Sequence, residues 1–173
     1  MKTLYLLRHC KAGNTPPNAG DHDRPLLDSG VADATALGEY LETSGANIGQ
    51  ALCSTAVRVQ ETFDALSKQL SGDISLRSER ALYSTTAGGI LASVQETDPE
   101  VSELLMIGHV PAIQELAIAL CGGGTPQLLA ALAKGFSSGT MATLTLDIPD
   151  WTGVGLRVGI LTNFISPDQL PAS

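Results

Sequence analysis

Residues 3–13 read TLYLLRHCKAG, and the fold turns on how that stretch is divided. Thr3 to Leu7 is a short run of apolar and aromatic character, which predicts a buried strand. It stops abruptly at Arg8, His9 and Cys10. Two later runs end in the same manner: ALCSTAVR at residues 51–58, and LLMIGHV at residues 104–110. Ser54 and Arg58 follow the first of these, and His109 follows the second. Ligands of open α/β sheets bind outside the carboxyl ends of the strands. If the three strands are neighbours, Arg8, His9, Ser54, Arg58 and His109 converge.

The rest of the chain supports an alternation of strands and helices. Asn14 to Pro25, NTPPNAGDHDRP, is dense in Pro, Gly, Asn and Asp and reads as a loop. Helical periodicity follows from Val31 to Thr43, closed by Ser44-Gly45. Gln50 to Cys53 reads as a strand, and Ser54-Thr55 can cap a helix reaching about Leu70. Ile74 to Leu76 is a third possible strand, Ala87 to Glu96 a helix, and Glu103 to Ile107 a buried strand. A helix over Pro111 to Cys121 has its proline suitably placed in the first turn. GGGTP, residues 122–126, reads as a break. Thr140 to Leu146 and Leu156 to Thr162 read as an antiparallel pair across DIPDWTG. The expected architecture is α/β: a three-layer sandwich with a mostly parallel central sheet, an antiparallel edge, and helices on both faces. The 173 residues are most simply one domain, 1–173.

Composition narrows the function classes. Apolar residues make up 43% and charged residues 16%, which argues against disorder. The net charge of −8 disfavours nucleic acid as a partner, which needs a basic stripe, and makes a local gathering of arginines conspicuous. Cys10, Cys53 and Cys121 are odd in number and follow no framework spacing, so they read as free thiols in a reducing compartment. The N-terminal apolar run is cut by Arg8 and lacks a small-residue cleavage site, unlike a signal peptide. No stretch approaches the roughly 20 apolar residues of a membrane helix. The expectation is a soluble, cytoplasmic protein without membrane partners.

At the convergence, two arginines, two histidines and two helix N-termini describe a site for a doubly charged oxyanion, with phosphate the obvious candidate. Guanidinium forks match phosphate oxygens bidentately. Each residue alone has a plainer reading, a solvated strand end or a structural hydrogen bonder. The joint pattern carries the argument, because two of the only three histidines stand at strand ends.

LRHCKA, STAVRVQET and IGHVPAI together resemble the histidine phosphatase superfamily, the phosphoglycerate-mutase-like fold. With DRPLLDSG at residues 23–30, the set looks most like the SixA-like phosphohistidine phosphatases. The resemblance spans Leu4 to about Leu146, and Cys10 departs from it where glycine or alanine is common. It implies that His9 is a nucleophile that becomes transiently phosphorylated. Arg8, Arg58 and His109 would hold the phosphoryl group and stabilise its transition state, and no metal or other cofactor is required. Phosphoryl transfer depends on in-line positioning and charge stabilisation, which suits this allocation. A neutral imidazole attacks without a base, provided its other nitrogen donates to an acceptor, for which a backbone carbonyl of the following loop is expected.

Several roles stay open at this level. Ser54 contributes its hydroxyl to phosphate or caps the following helix. Glu61, three residues beyond Arg58, orients its guanidinium or forms a surface ion pair. Lys11 and Arg24 extend the positive patch or are loop charges. Superfamily members that cleave esters need a Glu or Asp as acid, and Glu79 in RSERALY is best placed by analogy, ahead of Asp21 and Asp23. An imidazole leaves more easily than an alkoxide, so a phosphohistidine substrate needs that acid less. The short Ser71–Ala87 segment leaves no room for a lid, which suits a phosphohistidine displayed on a protein. The alternatives are a small-molecule phosphomonoesterase acting on a phosphorylated metabolite, and a catalytically idle phosphate-binding module. Cysteine catalysis fits poorly, because the residue six after Cys10 is Pro16 and Cys53 stands five from Arg58 without a glycine between. A zinc site from His9, His22 and Asp23 is conceivable but HD in a proline-rich loop is ordinary.

Overall fold

A strand that is apolar on both faces must sit mid-sheet with helices covering it, and Lys2–Arg8 (β1) does so. The computed structural model describes residues 1–170. β1 pairs in parallel with Glu103–Gly108 (β4), Leu4 opposite Leu104 and Arg8 opposite Gly108. Gln50–Ser54 (β2) lies parallel on the far side of β4, and Ser75–Glu79 (β3) closes that edge. On its other side β1 pairs antiparallel with Met141–Leu146 (β6), which in turn pairs antiparallel with Gly159–Ile165 (β7). Cys121–Gly124 (β5) adds in parallel to β7, so the order is β3-β2-β4-β1-β6-β7-β5.

Successive β1 side chains point to opposite faces and seed two apolar layers. Leu4 and Leu6 pack with helices Ala87–Gln95 (α3), Ala112–Leu120 (α4) and Pro126–Lys134 (α5), through residues such as Ile90, Ile113 and Leu132. Tyr5 and Leu7 face Asp28–Thr43 (α1) and Val57–Ser67 (α2), where Leu37, Leu41 and Leu66 complete the layer. Fully burying each such leucine contributes about 2 kcal/mol. The three-layer α/β arrangement is therefore the expected one. No helix among the described residues is long and apolar enough to cross a membrane.

Two elements differ from the sequence reading. Residues 122–124, expected as a break, belong to β5, so the antiparallel strand β6 lies third from that edge. Glycine is poor in strands, but a Cβ on Gly122 would meet the Arg157 carbonyl oxygen at 2.0 Å, so the close approach demands it. The following α5 was not anticipated, although Thr125 caps it, its hydroxyl accepting from the Leu128 N–H, and Pro126 opens it.

Gly30, near the start of α1, ties this packing to the loop after β1. A Cβ there would lie 2.2 Å from the Lys11 carbonyl oxygen. That same carbonyl accepts from the Leu27 N–H. Gly30→Ala is expected to cost about 1–3 kcal/mol by overpacking and to displace the segment that follows His9. A urea melt with unchanged midpoint would contradict it.

Candidate active site

The order β2-β4-β1 places three parallel carboxyl ends side by side, and the site is built there. The His9 N–H donates to the Gly108 carbonyl, which locks the residue after β1 to the end of β4. The imidazoles of His9 and His109 come to 5.4 Å between centroids, within reach of one phosphoryl group. Arg58 enters from the first turn of α2, almost fully buried. An open cavity of about 530 Å³ lies over these residues.

Arg58 determines the state of both imidazoles because a guanidinium can only donate. Its Nε lies 3.3 Å from His9 Nε2, so Nε2 carries a lone pair and the proton sits on Nδ1. Nδ1 then donates to the Cys10 carbonyl at 2.8 Å, the backbone acceptor expected from the following loop. Arg58 Nη2 lies 3.4 Å from His109 Nδ1, which leaves the His109 proton on Nε2 to donate to Ser54 Oγ at 2.8 Å. Ser54 Oγ also accepts from the Ala56 N–H. Ala56, not Ser54, is the N-cap of α2, so the serine acts here as a brace for His109 rather than as the helix cap. Thr62 secures the assembly from beneath: its hydroxyl donates to the Arg58 carbonyl and accepts from the Cys10 N–H.

Burial holds both rings neutral. The His9 pKa falls to about 4, through desolvation and then Arg58, Arg8 and Arg24, against an upward pull from the Cys10 carbonyl. That of His109 falls to about 3, through desolvation and then Arg58 and His9. The unfolded chain therefore binds these protons more readily than the folded one. Their contribution to stability is complete above the unfolded value of about 6.5 and is lost as pH falls toward 4 and 3. Urea midpoints should decline from pH 7 to 4, less steeply in His109→Gln. A midpoint constant over that window would contradict the burial argument.

Arg8 lines the same cavity. Its Nη1 donates to the Phe136 carbonyl at 2.8 Å, so the end of the GGGTPQLLAALAKGF segment rims the site. Its buried Nε has no protein partner, as a donor kept for an anion would. Lys11 and Arg24 also line the cavity. Lys11 pairs loosely with Asp33 at 3.7 Å, and Arg24 donates to the Gly13 carbonyl and to Asp21.

Among the described residues Asp21 is the only carboxylate on the cavity wall. Its Oδ2 takes a hydrogen bond from Tyr83 at 2.7 Å and an ion pair from Arg58 at 3.1 Å, while its backbone carbonyl accepts from Arg58 Nη1. The Tyr83 and Arg24 hydrogen bonds, with the Arg58 charge, hold its pKa near 2, so it is ionised at neutral pH. Asp23 turns away, capping its own turn at the Gly20 N–H.

Glu79 is not brought to the site. It ends β3 beside Ser54, but Arg77 Nε donates to one carboxylate oxygen at 2.6 Å and Ser93 Oγ to the other at 2.8 Å. Both oxygens are thus committed to a neighbour on its own strand and to α3, away from the cavity lining, and the acid expected there does not fit. Glu61 does not orient Arg58 either, since its carboxylate accepts from the Leu26 N–H at 2.6 Å. His22 bonds Thr55 and stacks edge-on to Tyr83, outside the cavity wall. Burial pushes the Cys10 thiol up to about 12, which leaves it protonated and a poor nucleophile.

The profile of the histidine phosphatase superfamily (branch 1) matches residues 4–107. The chain belongs to the histidine phosphatase superfamily. That match ends just before His109. Among sequence relatives, an uncharacterised protein of Mycobacterium leprae (strain TN) is 33% identical over 123 residues, covering 69% of this chain and 73% of its own. Phosphohistidine phosphatase SixA of Escherichia coli (strain K12) is 25% identical over 146 residues, 83% and 85% of the two chains. A solved protein of Nakamurella multipartitia, provisionally identified as phosphohistidine phosphatase SixA, superposes with TM-score 0.82 at 29% identity, covering 96% of each chain. The α/β fold is thus that of a histidine phosphatase.

Proposed function

We propose that this chain hydrolyses phosphohistidine on a protein, through a phosphoryl group carried transiently on His9. Arg8, Arg58 and His109 hold the phosphoryl oxygens in this reading. The incoming group takes over the Arg58 donors and releases the Nε2 lone pair of His9. Nε2 forms a bond to phosphorus as the opposite P–N bond breaks, and its electron pair returns to the substrate imidazole. Freed of the Arg58 donor, the neutral His109 ring carries its one proton on Nδ1 to donate to a phosphoryl oxygen, and the Ser54 hydroxyl turns to donate to Nε2. Water then takes the phosphoryl group from His9 and inorganic phosphate leaves.

What supports the reading is the make-up of the cavity wall. Its one carboxylate among the described residues, Asp21, is engaged by Tyr83, Arg24 and Arg58, which favour its ionised form, and burial lowers both imidazole pKa values, to about 4 and 3. No carboxylic acid or imidazolium stands ready to protonate an alkoxide. A substrate imidazole already protonated on its other nitrogen departs neutral and needs none. The names of the Escherichia coli and Nakamurella relatives point the same way.

Phosphate release should be measured from a phosphohistidine protein and from a panel of alkyl phosphates. General acid catalysis typically contributes 10²–10⁴-fold, so kcat/KM for the phosphohistidine protein should lead by about 10²-fold or more. Alkyl esters cleaved as efficiently would overturn the reading in favour of a small-molecule phosphomonoesterase.

A further inference from the structure

In-line attack by His9 Nε2 sends the leaving group to the side of phosphorus away from His9. What the rest of the cavity lining presents to that group decides which leaving groups are favoured. Aromatic residues are only 4% of this chain, and most are spent on packing: Tyr5, Phe63, Phe136 and Trp151 are buried in the two core layers. Tyr83 is different. Among the described residues it is the only phenol or other large aromatic ring on the cavity wall, and it is half-buried there after Leu82 anchors its turn in the core.

Its ring already packs two imidazoles edge-on. His22 lies 4.9 Å from it at 75°, and His109 lies 5.7 Å from it at 84°. The Arg58 guanidinium carbon lies over the ring at 5.8 Å from its centroid. Tyr83 therefore stands next to Arg58, already in contact with flat, nitrogen-containing groups. Edge-on aromatic pairs and cation–π contacts both reward an imidazole or imidazolium at such a ring.

We infer that Tyr83 is a specificity-determining residue that binds the heteroaromatic leaving group, so the site selects phosphorylated rings over other N–P compounds. This rests on the phosphohistidine reading and narrows it: lability of the P–N bond alone does not define the substrate. The phenol hydroxyl has a separate task, holding Asp21. Ring and hydroxyl can therefore be tested apart.

The experiment compares N-phosphoimidazole with phosphoramidate, both N–P substrates but only one carrying a ring. Each is assayed with the wild type, Tyr83→Phe, Tyr83→Leu and Tyr83→Ala. Taking variant-to-wild-type ratios cancels the intrinsic reactivity of the two compounds. For Tyr83→Ala and Tyr83→Leu, the loss in kcat/KM on N-phosphoimidazole should exceed the loss on phosphoramidate by about three- to ten-fold. Tyr83→Phe keeps the ring, so any loss should be equal on the two substrates. Equal losses in all three variants would overturn the inference and reduce Tyr83 to a support for Asp21, leaving the phosphohistidine reading intact. A wild type that cleaves a phosphohistidine protein but neither small compound would overturn the inference alone, and failure on the phosphohistidine protein as well would overturn that reading with it.

Discussion

His9→Ala is expected to abolish turnover, with kcat reduced on the order of 10⁴- to 10⁶-fold, the scale seen when a covalent nucleophile is removed. The argument starts from a tautomer. His9 donates Nδ1–H to the Cys10 carbonyl and offers Nε2 as a lone pair, and its pKa of about 4 keeps that lone pair available at neutral pH. No other nucleophile in the site is prepared in this manner. Cys10 is buried and protonated, with its pKa raised to about 12. Ser54 is fully buried off the cavity wall, its hydroxyl engaged by His109 Nε2 and the Ala56 N–H. Phosphate release from a phosphohistidine protein gives the measurement. Retention of more than about a tenth of wild-type kcat, an effect far below the loss of a nucleophile, would contradict the assignment.

Arg58 is the second position where a large loss is expected. Arg58→Ala should lower kcat/KM by about 10³- to 10⁵-fold, the range for an arginine that stabilises a transferring phosphoryl group. One guanidinium serves three tasks here: it fixes the lone pair of His9, fixes that of His109, and anchors the Asp21 loop by two contacts. Lysine keeps the charge but presents a single point donor, so Arg58→Lys should recover little of the loss. Free inorganic phosphate should also inhibit the variants more weakly than the wild type. Recovery to within about three-fold by lysine would mean that charge alone matters, contrary to the fork geometry.

The residues of this cluster were legible because of where β-strands stop. Arg8 and Ser54 end their strands and His9 and His109 directly follow one, and parallel neighbours align their carboxyl ends, so linear pattern becomes spatial cluster. Glu79 obeys the same rule and still fails, because β3 is the edge strand and Arg77, two residues earlier on the same face, captures its carboxylate. Strand-end position says nothing about such a side-chain competition. Asp21 and Tyr83 come from irregular segments, 62 residues apart, and meet only through tertiary closure. Phe136 reaches Arg8 across 128 residues for the same reason. A phenol beside RSERAL carries no periodic signal, whereas the missed α5 did: threonine before proline and glycine after Lys134 are ordinary helix boundaries. Three glycines before it suggested a break and concealed both β5 and the helix start.

The central claim is that phosphorus bonds to one particular nitrogen of one particular histidine. The protein should be mixed with a labelled phosphohistidine substrate, quenched in alkali within milliseconds, and the phosphoryl group located by mass spectrometry and ³¹P NMR. The predicted result is a base-stable, acid-labile phosphoryl group on His9 Nε2, absent from His9→Ala. Turnover with the label on Nδ1, on another residue, or on no residue of the chain would contradict it.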